Sequence, residues 1–240
     1  MKLSEGKIRH MKALATGNGI IAAAAMDQRG SLQKSIAAAK GIDKKEVTPE
    51  MMAEFKTAVA KVLTPYASAI LLDPEFGLEA AKVRAKNCGL LLAYEKSGYD
   101  NTQPGRLPDL LPHVSVKRIA DWGANAVKIL MYYTPFEDAR INDIKHAFVE
   151  RVGAECLAYE IPFFLEFVGY DPKGSFYKET LVHKDDVLVG MHTYDDAFVY
   201  VSNVHSPGDR ANPVDLAPTV LTLMGLPVPR DYDGRTLAPS

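Results

Sequence analysis

The stretch GANAVKILMYY, residues 123–133, is an almost unbroken run of apolar residues. A continuous apolar run of this length is typical of a strand covered on both faces, as strands in parallel sheets are. Lys128 departs from the pattern, because it lies in the middle of the run. Burying an unpaired ammonium there would cost several kcal/mol, so we expect Lys128 to face a partner, a wet cavity or a ligand.

Four more apolar runs of strand length occur along the chain, at residues 19–26, 67–74, 89–96 and 161–170. Helical patterns lie between the runs. One begins with Thr48 as its cap and Pro49 at the first helical position, and it ends before Pro65. Two others cover residues 79–88 and 141–160. Strand and helix alternate, which predicts a parallel α/β architecture.

Polar residues stand at the ends of these runs, where the chemistry of parallel α/β folds takes place. The first run ends at Asp27 and Gln28, and Glu166 lies inside the fifth run. With Lys128, these residues are our candidates for the functional site. Four further polar residues near strand ends are interpreted as loop residues and helix starts, namely Asp73, Glu75, Glu95 and Lys96.

Composition narrows the class of protein. The 240 residues fit one α/β domain of barrel size or two smaller domains. A formal charge of −2 without a basic run gives no reason to expect nucleic acid, and the absence of about 18 consecutive apolar residues gives none to expect a membrane. Cys88 and Cys156 lie far apart, which indicates free, buried thiols and a reducing, cytoplasmic location. A homo-oligomer stays open.

Several long motifs point to a known family: NGIIAAAAMDQRGSL, LLDPEFGLEAAK, LLAYEKSGYD, RLPDLLPHVSVKRIADWGANAVKILMYYTP and IPFFLEFVGYD. Together they resemble the bacterial tagatose 1,6-bisphosphate aldolases over about residues 1–174. The resemblance implies a TIM-like (β/α)₈ barrel in the cytoplasm. It also implies a class I, Schiff-base lyase without metal or other cofactor, which cleaves a ketose bisphosphate into dihydroxyacetone phosphate and glyceraldehyde 3-phosphate.

The resemblance also implies roles for the candidate residues. Asp27 and Gln28 would be the substrate and acid/base pair of the first strand, Lys128 a substrate-contacting amine, and Glu166 the proton-transfer carboxylate. Such a carboxylate works best with a pKa raised by burial, as an apolar strand would provide. A second ammonium would depress the pKa of the reacting lysine and hold the oxygens or phosphate of the substrate.

Each candidate also has a structural interpretation. Asp27 could cap the segment after a simple strand-to-loop turn. Lys128 could reach the barrel mouth or pair with a structural carboxylate, and Glu166 could be that buried partner.

The sequence departs from the aldolase pattern after residue 174. The family carries its Schiff-base lysine in a sixth strand that reads roughly Asp-Val-Leu-Lys-Val-Glu, whereas this chain has DDVLVG at 185–190, with Val189 where the lysine is expected. Lys178 and Lys184 stand among polar residues, where an amine of ordinary pKa stays protonated and inert. We therefore assign no Schiff-base lysine, and we expect weak or absent turnover with residual binding.

Residues 175–240 resemble the C-terminal end of alkaline-phosphatase-superfamily phosphodiesterases and sulfatases, through GMHTYDDAFVYVSN and VDLAPTVLTLMGLPVPRDYDGRTL. His192 matches a metal-binding histidine of that superfamily, but one histidine beside Asp195 and Asp196 is a weak metal signal, so no metal is assigned. The pattern predicts an incomplete barrel in residues 1–174 that residues 175–240 cover or close, with strands at 186–190 and 197–203 and a helix at 214–224. Three functions stay open: an aldolase, a non-catalytic sugar-phosphate-binding protein or chimera, and a metal-dependent phosphohydrolase-like protein.

Overall fold

The computed structural model of the chain describes residues 3–99 and 102–170. The chain divides into two units, Met1–Val168 and Gly169–Ser240, and nearly all the described residues belong to the first. The strands predicted at 186–190 and 197–203 and the helix predicted at 214–224 lie outside the described residues. The same holds for Lys178, Lys184, Val189, His192, Asp195 and Asp196.

Five parallel strands form the sheet, and each lies inside one of the five apolar runs. They are Ala23–Met26 (β1), Ala69–Leu72 (β2), Gly89–Ala93 (β3), Ala126–Tyr132 (β4) and Phe163–Val168 (β5), paired in the order β1-β2-β3-β4-β5. The order never reverses, so the winding is that of a β/α barrel; a doubly wound sheet would reverse at a switch point. The prediction of an incomplete, TIM-like α/β fold is confirmed.

Helices cover the sheet and connect its strands. They are Glu5–Leu14 (α1), Gly30–Lys40 (α2), Pro49–Leu63 (α3), Leu78–Val83 (α4), Val116–Asp121 (α5) and Ala139–Ala158 (α6), with 3₁₀ turns at Lys44–Glu46 and Thr64–Tyr66. α3 begins as predicted, since the Thr48 hydroxyl accepts a hydrogen bond from the Met51 N–H at 3.3 Å and Pro49 is the first helical residue.

Two predicted boundaries are wrong, each because of a local hydrogen bond. The helix predicted to run to residue 88 ends at Val83, because the Arg84 guanidinium donates to the carbonyls of Ala81 and Cys88 and holds that segment in a turn. The first strand begins four residues later than its apolar run. Gly19, at φ +80°, donates its N–H to the carbonyl of Thr16 and forms a turn there.

The sheet has an apolar layer on each face. The outer layer packs strand residues against the helices, and its buried members include Ile70, Leu72, Leu90, Leu92, Val127, Ile129, Met131, Val152 and Cys156. On the inner face, Leu14 of α1 packs against Ala69, Leu91 and Ala126. Gly89 allows this close approach, since a Cβ there would lie 2.5 Å from the carbonyl oxygen of Ala13. The amino-terminal end of the inner face is thereby filled.

Side-chain alternation carries the same inner face toward the carboxyl ends of the strands. Lys128 lies two residues after Ala126 in β4, and Glu166 lies two residues after Phe164 in β5. Lys128 pairs in register with Phe164. Both charged residues therefore extend the inner face beyond its apolar layer.

The two cysteines are free and buried, as predicted. Within the described residues, no helix combines the length and apolarity that a membrane crossing requires.

Candidate functional site

Lys128 is the centre of a cluster of charged side chains at the carboxyl ends of the strands. Its Nζ lies 2.8 Å from Oδ2 of Asp27 and 3.0 Å from Oε2 of Glu166. A third carboxylate oxygen, Oε1 of Glu95, lies 3.3 Å from the same nitrogen. An ammonium has three N–H donors, so it can bind all three carboxylates at once.

The three carboxylates hold the proton on Lys128. Burial acts to lower the pKa of Lys128, but the charges of Glu95 and Asp27, the hydrogen bond to Asp27 and the charge of Glu166 outweigh it and raise that pKa. The side chain therefore stays an ammonium at neutral pH, which suits it to bind anionic oxygens and not to attack a carbonyl.

Glu95 is the most deeply buried carboxylate of the cluster. Its side chain is 9% exposed, and Oε2 has no hydrogen-bond partner among the described residues. Burial raises the pKa of Glu95, and the charge of Lys128 opposes this only in part. Arg29 fixes the backbone here, because its Nη2 donates to the carbonyl of Glu95 at 2.8 Å.

Glu166 has a different environment. Its side chain is 40% exposed, so the prediction that Glu166 is a buried carboxylate is wrong. Within the described residues β5 is the last strand in the sheet order, and its residues are only partly covered. The buried carboxyl group with a raised pKa is Glu95, which the sequence predicts to be a loop residue.

Asp27 does not cap the helix that follows it. α2 begins at Gly30 with Arg29 as its N-cap residue and no side-chain cap hydrogen bond, whereas the carboxylate of Asp27 binds Lys128. The interpretation of Asp27 as a turn cap is therefore wrong. The other structural interpretation, that Glu166 only pairs with Lys128, is compatible with the 3.0 Å ion pair and stays open.

A second buried ion pair lies beside the cluster. Lys56 of α3 and Asp73 after β2 are both fully buried and hydrogen-bonded to each other. Lys56 Nζ also donates to the backbone carbonyls of Met26 and Gln28, each at 2.8 Å. This pair therefore contacts the chain on both sides of Asp27.

An open cavity of about 820 Å³ contains the cluster. All four predicted residues, Asp27, Gln28, Lys128 and Glu166, line it. Its other charged lining residues are Arg29, Lys34, Lys44, Glu95 and Lys96. Five cationic side chains thus face three carboxylates, which favours an anionic ligand.

The candidate residues predicted from the sequence do not include Lys56, Glu95 or Asp73, although a sequence pattern indicates the burial of the first two. Lys56 stands four residues from both Met52 and Ala60, which are buried, so helical periodicity places it on the inward face of α3. Glu95 follows Ala93 by two residues, which continues the inner face of β3. Asp73 follows β2 directly, and nothing in its local sequence predicts that it pairs with a buried lysine.

The described residues contain no group of three or more His, Cys, Asp or Glu side chains arranged to hold a metal ion. The cation at the centre of the carboxylate cluster is the Lys128 ammonium.

Comparisons with known proteins agree on one family. The model of the DeoC/LacD family aldolases matches residues 21–189. The tagatose 1,6-diphosphate aldolase of Listeria innocua is 53% identical over 173 residues, which is 72% of this chain and 50% of the relative. Tagatose 1,6-diphosphate aldolase 2 of Enterococcus faecalis is 55% identical over 171 residues, which is 71% of this chain and 50% of that protein.

The similarity to solved structures is lower. A Corynebacterium glutamicum protein aligns with a TM-score of 0.43 and 12% identity, over 69% of this chain and 56% of that one, which is too low to bear on fold or function. The chain spans about half the length of the curated relatives that it matches. The family model matches most of this chain, and the charged cluster centred on Lys128 lies within the matched residues, at the carboxyl ends of the strands. The chain therefore belongs to the DeoC/LacD family of aldolases.

Proposed function

We propose that this chain is a Schiff-base, class I lyase that acts on a ketose bisphosphate, with tagatose 1,6-bisphosphate as the substrate that the relatives' names indicate. The observation that carries the proposal is the Lys128 ammonium, bound to three carboxylates inside a cavity at the carboxyl ends of parallel strands. Family membership favours this function over a non-catalytic binding protein and over a metal-dependent phosphohydrolase.

Each candidate residue has a role that its environment supports. Glu166 is the most exposed of the three carboxylates and lines the cavity, so it can exchange a proton with a bound substrate hydroxyl. Asp27, with 16% of its side chain exposed, would accept a hydrogen bond from another hydroxyl group. Gln28 would bind substrate beside it. Lys128, already protonated, would bind anionic oxygens.

Phosphate recognition is supported by the charges at the edge of the cavity. Lys34, Lys44 and Lys96 line it together with Lys128. Lys96 is partly neutralised by Asp109, whose Oδ2 lies 2.5 Å from its Nζ. We therefore expect Lys34 and Lys44 to contribute most of the attraction to a phosphate dianion.

The attacking amine is a separate requirement. A class I aldolase needs a neutral lysine near the substrate carbonyl, and the raised pKa of Lys128 makes this residue unsuited to the task. Val189 stands where the family has its lysine, so we expect weak turnover by this chain.

The test combines turnover, binding and trapping. Tagatose 1,6-bisphosphate cleavage is followed by coupled reduction of the dihydroxyacetone phosphate released. Glu166→Gln should lower any such rate by roughly a hundredfold or more and leave the fold intact. Lys128→Met should abolish binding of dihydroxyacetone phosphate. A wild-type chain that neither cleaves the sugar nor binds its product would refute the proposal.

Borohydride trapping addresses the nucleophile directly. The chain is incubated with dihydroxyacetone phosphate and borohydride, and mass spectrometry locates any reduced adduct. A stoichiometric adduct on one lysine would identify the nucleophile and overturn the expectation of weak turnover. Binding without an adduct would make the chain a sugar-phosphate-binding protein.

We also propose the wider setting of the chain. Residues 1–174 would form the aldolase part and residues 175–240 a separate segment, to be tested by limited proteolysis. The free, buried state of Cys88 and Cys156 supports a reducing, cytoplasmic location. The sequence leaves homo-oligomerisation open, and light scattering would measure the mass of the particle in solution.

A further inference from the structure

Lys56 is a buried lysine whose bonds all go to other parts of the protein. It lies on α3, has no exposed surface, and does not line the cavity that holds the charged cluster. Its Nζ donates to the carbonyls of Met26 and Gln28, each at 2.8 Å, and to Oδ2 of Asp73. These three acceptors use all three N–H groups of the ammonium, so Lys56 has no donor left for a ligand.

The two carbonyls that Lys56 binds belong to the residues on either side of Asp27. The Met26 carbonyl lies in the peptide plane that leads into the Asp27 Cα, and the Gln28 carbonyl lies in the plane that follows Gln28, so Lys56 holds the backbone just before and just after Asp27. These two bonds restrict the backbone at Asp27 and thereby the direction of the carboxylate, which lies 2.8 Å from Lys128 Nζ. In the described part of the chain, no other charged side chain donates a hydrogen bond to the backbone carbonyls of residues 26–28.

Asp73 anchors the ammonium in turn. Its Oδ1 accepts the N–H of Phe76 at 2.9 Å, and its Oδ2 accepts from Lys56. The Oδ1 atom also lies 4.0 Å from Nε of Arg29, whose Nη2 holds the carbonyl of Glu95. Asp73 is therefore linked, through Lys56, to the backbone on either side of Asp27 and, through Arg29, to the backbone of Glu95.

We infer that Lys56 and Asp73 are positioning residues, a buried ion pair that aims the Asp27 carboxylate at the Lys128 ammonium. The inference rests on the proposed function, because Asp27 and Lys128 are the groups it would align. Neither Lys56 nor Asp73 touches substrate in this arrangement, and their effect is transmitted through the backbone of residues 26–28.

A purely structural pair would stabilise the fold without affecting Lys128, and three variants separate the two roles. Lys56→Met removes the ammonium. The double variant Lys56→Met/Asp73→Leu also removes the carboxylate that would be left buried and unpaired, and such apolar replacement of a buried pair is often close to neutral for stability. Lys145→Met is the matched control, because Lys145 is also a fully buried helical lysine but lies on α6 and does not line the cavity.

The first measurement is the side-chain ¹⁵N–¹H signal of the Lys128 ammonium, assigned with Lys128→Arg. Protons on an ammonium held by three carboxylates exchange slowly with water. We expect the signal to broaden or shift in Lys56→Met and in the double variant, even where the double variant regains wild-type stability, and to persist in Lys145→Met. An unchanged Lys128 signal in the folded double variant would overturn the inference.

The second measurement is the affinity for dihydroxyacetone phosphate by titration calorimetry. Misplacing one charge-assisted hydrogen bond should weaken binding by about tenfold or more in the double variant and leave Lys145→Met at the wild-type value. The two measurements also separate the inference from the proposed function. If the wild-type chain binds no dihydroxyacetone phosphate but the Lys128 signal responds to Lys56, the positioning role stands and the proposed function fails. If the wild type binds and the double variant binds equally well, the positioning role fails alone.

Discussion

Replacing Lys128 by methionine should destabilise the fold in a way that depends on pH. At neutral pH the change leaves the carboxylates of Asp27, Glu95 and Glu166 close together without the ammonium that they surround. Breaking a buried ion pair costs about 3–5 kcal/mol. Since Asp27 and Glu166 are partly exposed, we expect the lower end of this range, about 3 kcal/mol at pH 7.

The pH dependence follows from the carboxyl groups. The pKa of Glu95 is already raised by burial, and losing the Lys128 charge that opposes this will raise it further. A carboxyl group whose folded pKa exceeds its unfolded pKa contributes stability below the unfolded value, and that contribution is lost as the pH rises through the folded value. The penalty of Lys128→Met should therefore grow with pH from about pH 4, near the ordinary carboxyl pKa, toward pH 7.

Urea unfolding at both pH values, followed by the fluorescence of the single tryptophan, Trp122, measures the penalty. Lys117→Met is the control, because Lys117 is 60% exposed and its ion pair with Asp121 spans one helical turn. Such an exposed pair is screened by solvent and contributes little to stability. If Lys128→Met cost the same free energy at both pH values, the loss would be one of packing, and the electrostatic reasoning would be refuted.

Three further outcomes are expected. Glu95→Gln should gain stability relative to wild type as the pH rises from about 4 to 7, because an amide avoids the cost of keeping a buried carboxyl group charged; urea unfolding at the two pH values checks this, and a gap independent of pH would contradict it. Neither cysteine of the folded chain should react with Ellman's reagent, since burial raises the pKa of Cys88 and raises that of Cys156 to about 12, whereas both should react after unfolding. Burial lowers the pKa of Lys145 from 10.5 to about 8. Between pH 8 and pH 10.5 the unfolded chain binds more protons than the folded chain, so the free energy of unfolding of the wild type should rise by up to about 3 kcal/mol relative to that of Lys145→Met. Urea unfolding across this pH range measures the difference, and a difference that does not change with pH would count against the shift.

The strands and the special position of Lys128 could be predicted from local sequence, because strands buried on both faces are almost entirely apolar and a buried charge is costly unless it has partners. Five apolar runs give five parallel strands, and one lysine in such a run must have partners. The position of Glu95 needed tertiary information. Beyond the end of β3 the chain stays extended because residues 109–111 pair with it: the Lys96 N–H donates to the carbonyl of Asp109, and the Leu111 N–H donates to the carbonyl of Tyr94. This pairing joins residues that are distant in the sequence, so local sequence alone predicts Glu95 to be an ordinary loop residue.

The carboxylates around Lys128 differ in how far they are buried, and this difference indicates which of them can reach a substrate. The sequence selected Glu166 because an apolar strand would bury it, yet the buried carboxylate is Glu95 and the side chain of Glu166 is 40% exposed. In the proposed function a proton-transfer group must reach the substrate, and Glu166 lines the cavity with its carboxylate 3.0 Å from Lys128 Nζ. Glu95 cannot exchange protons with a ligand as readily, because its carboxylate is enclosed and Arg29 holds its backbone. Glu166 is thus still the proposed proton-transfer group, because it is accessible and not because it is buried. The rates of Glu166→Gln and Glu95→Gln test this assignment: the rate of the first should fall by roughly a hundredfold or more, and that of the second distinctly less. An equal loss would mean that the cluster acts only by holding the Lys128 ammonium in place.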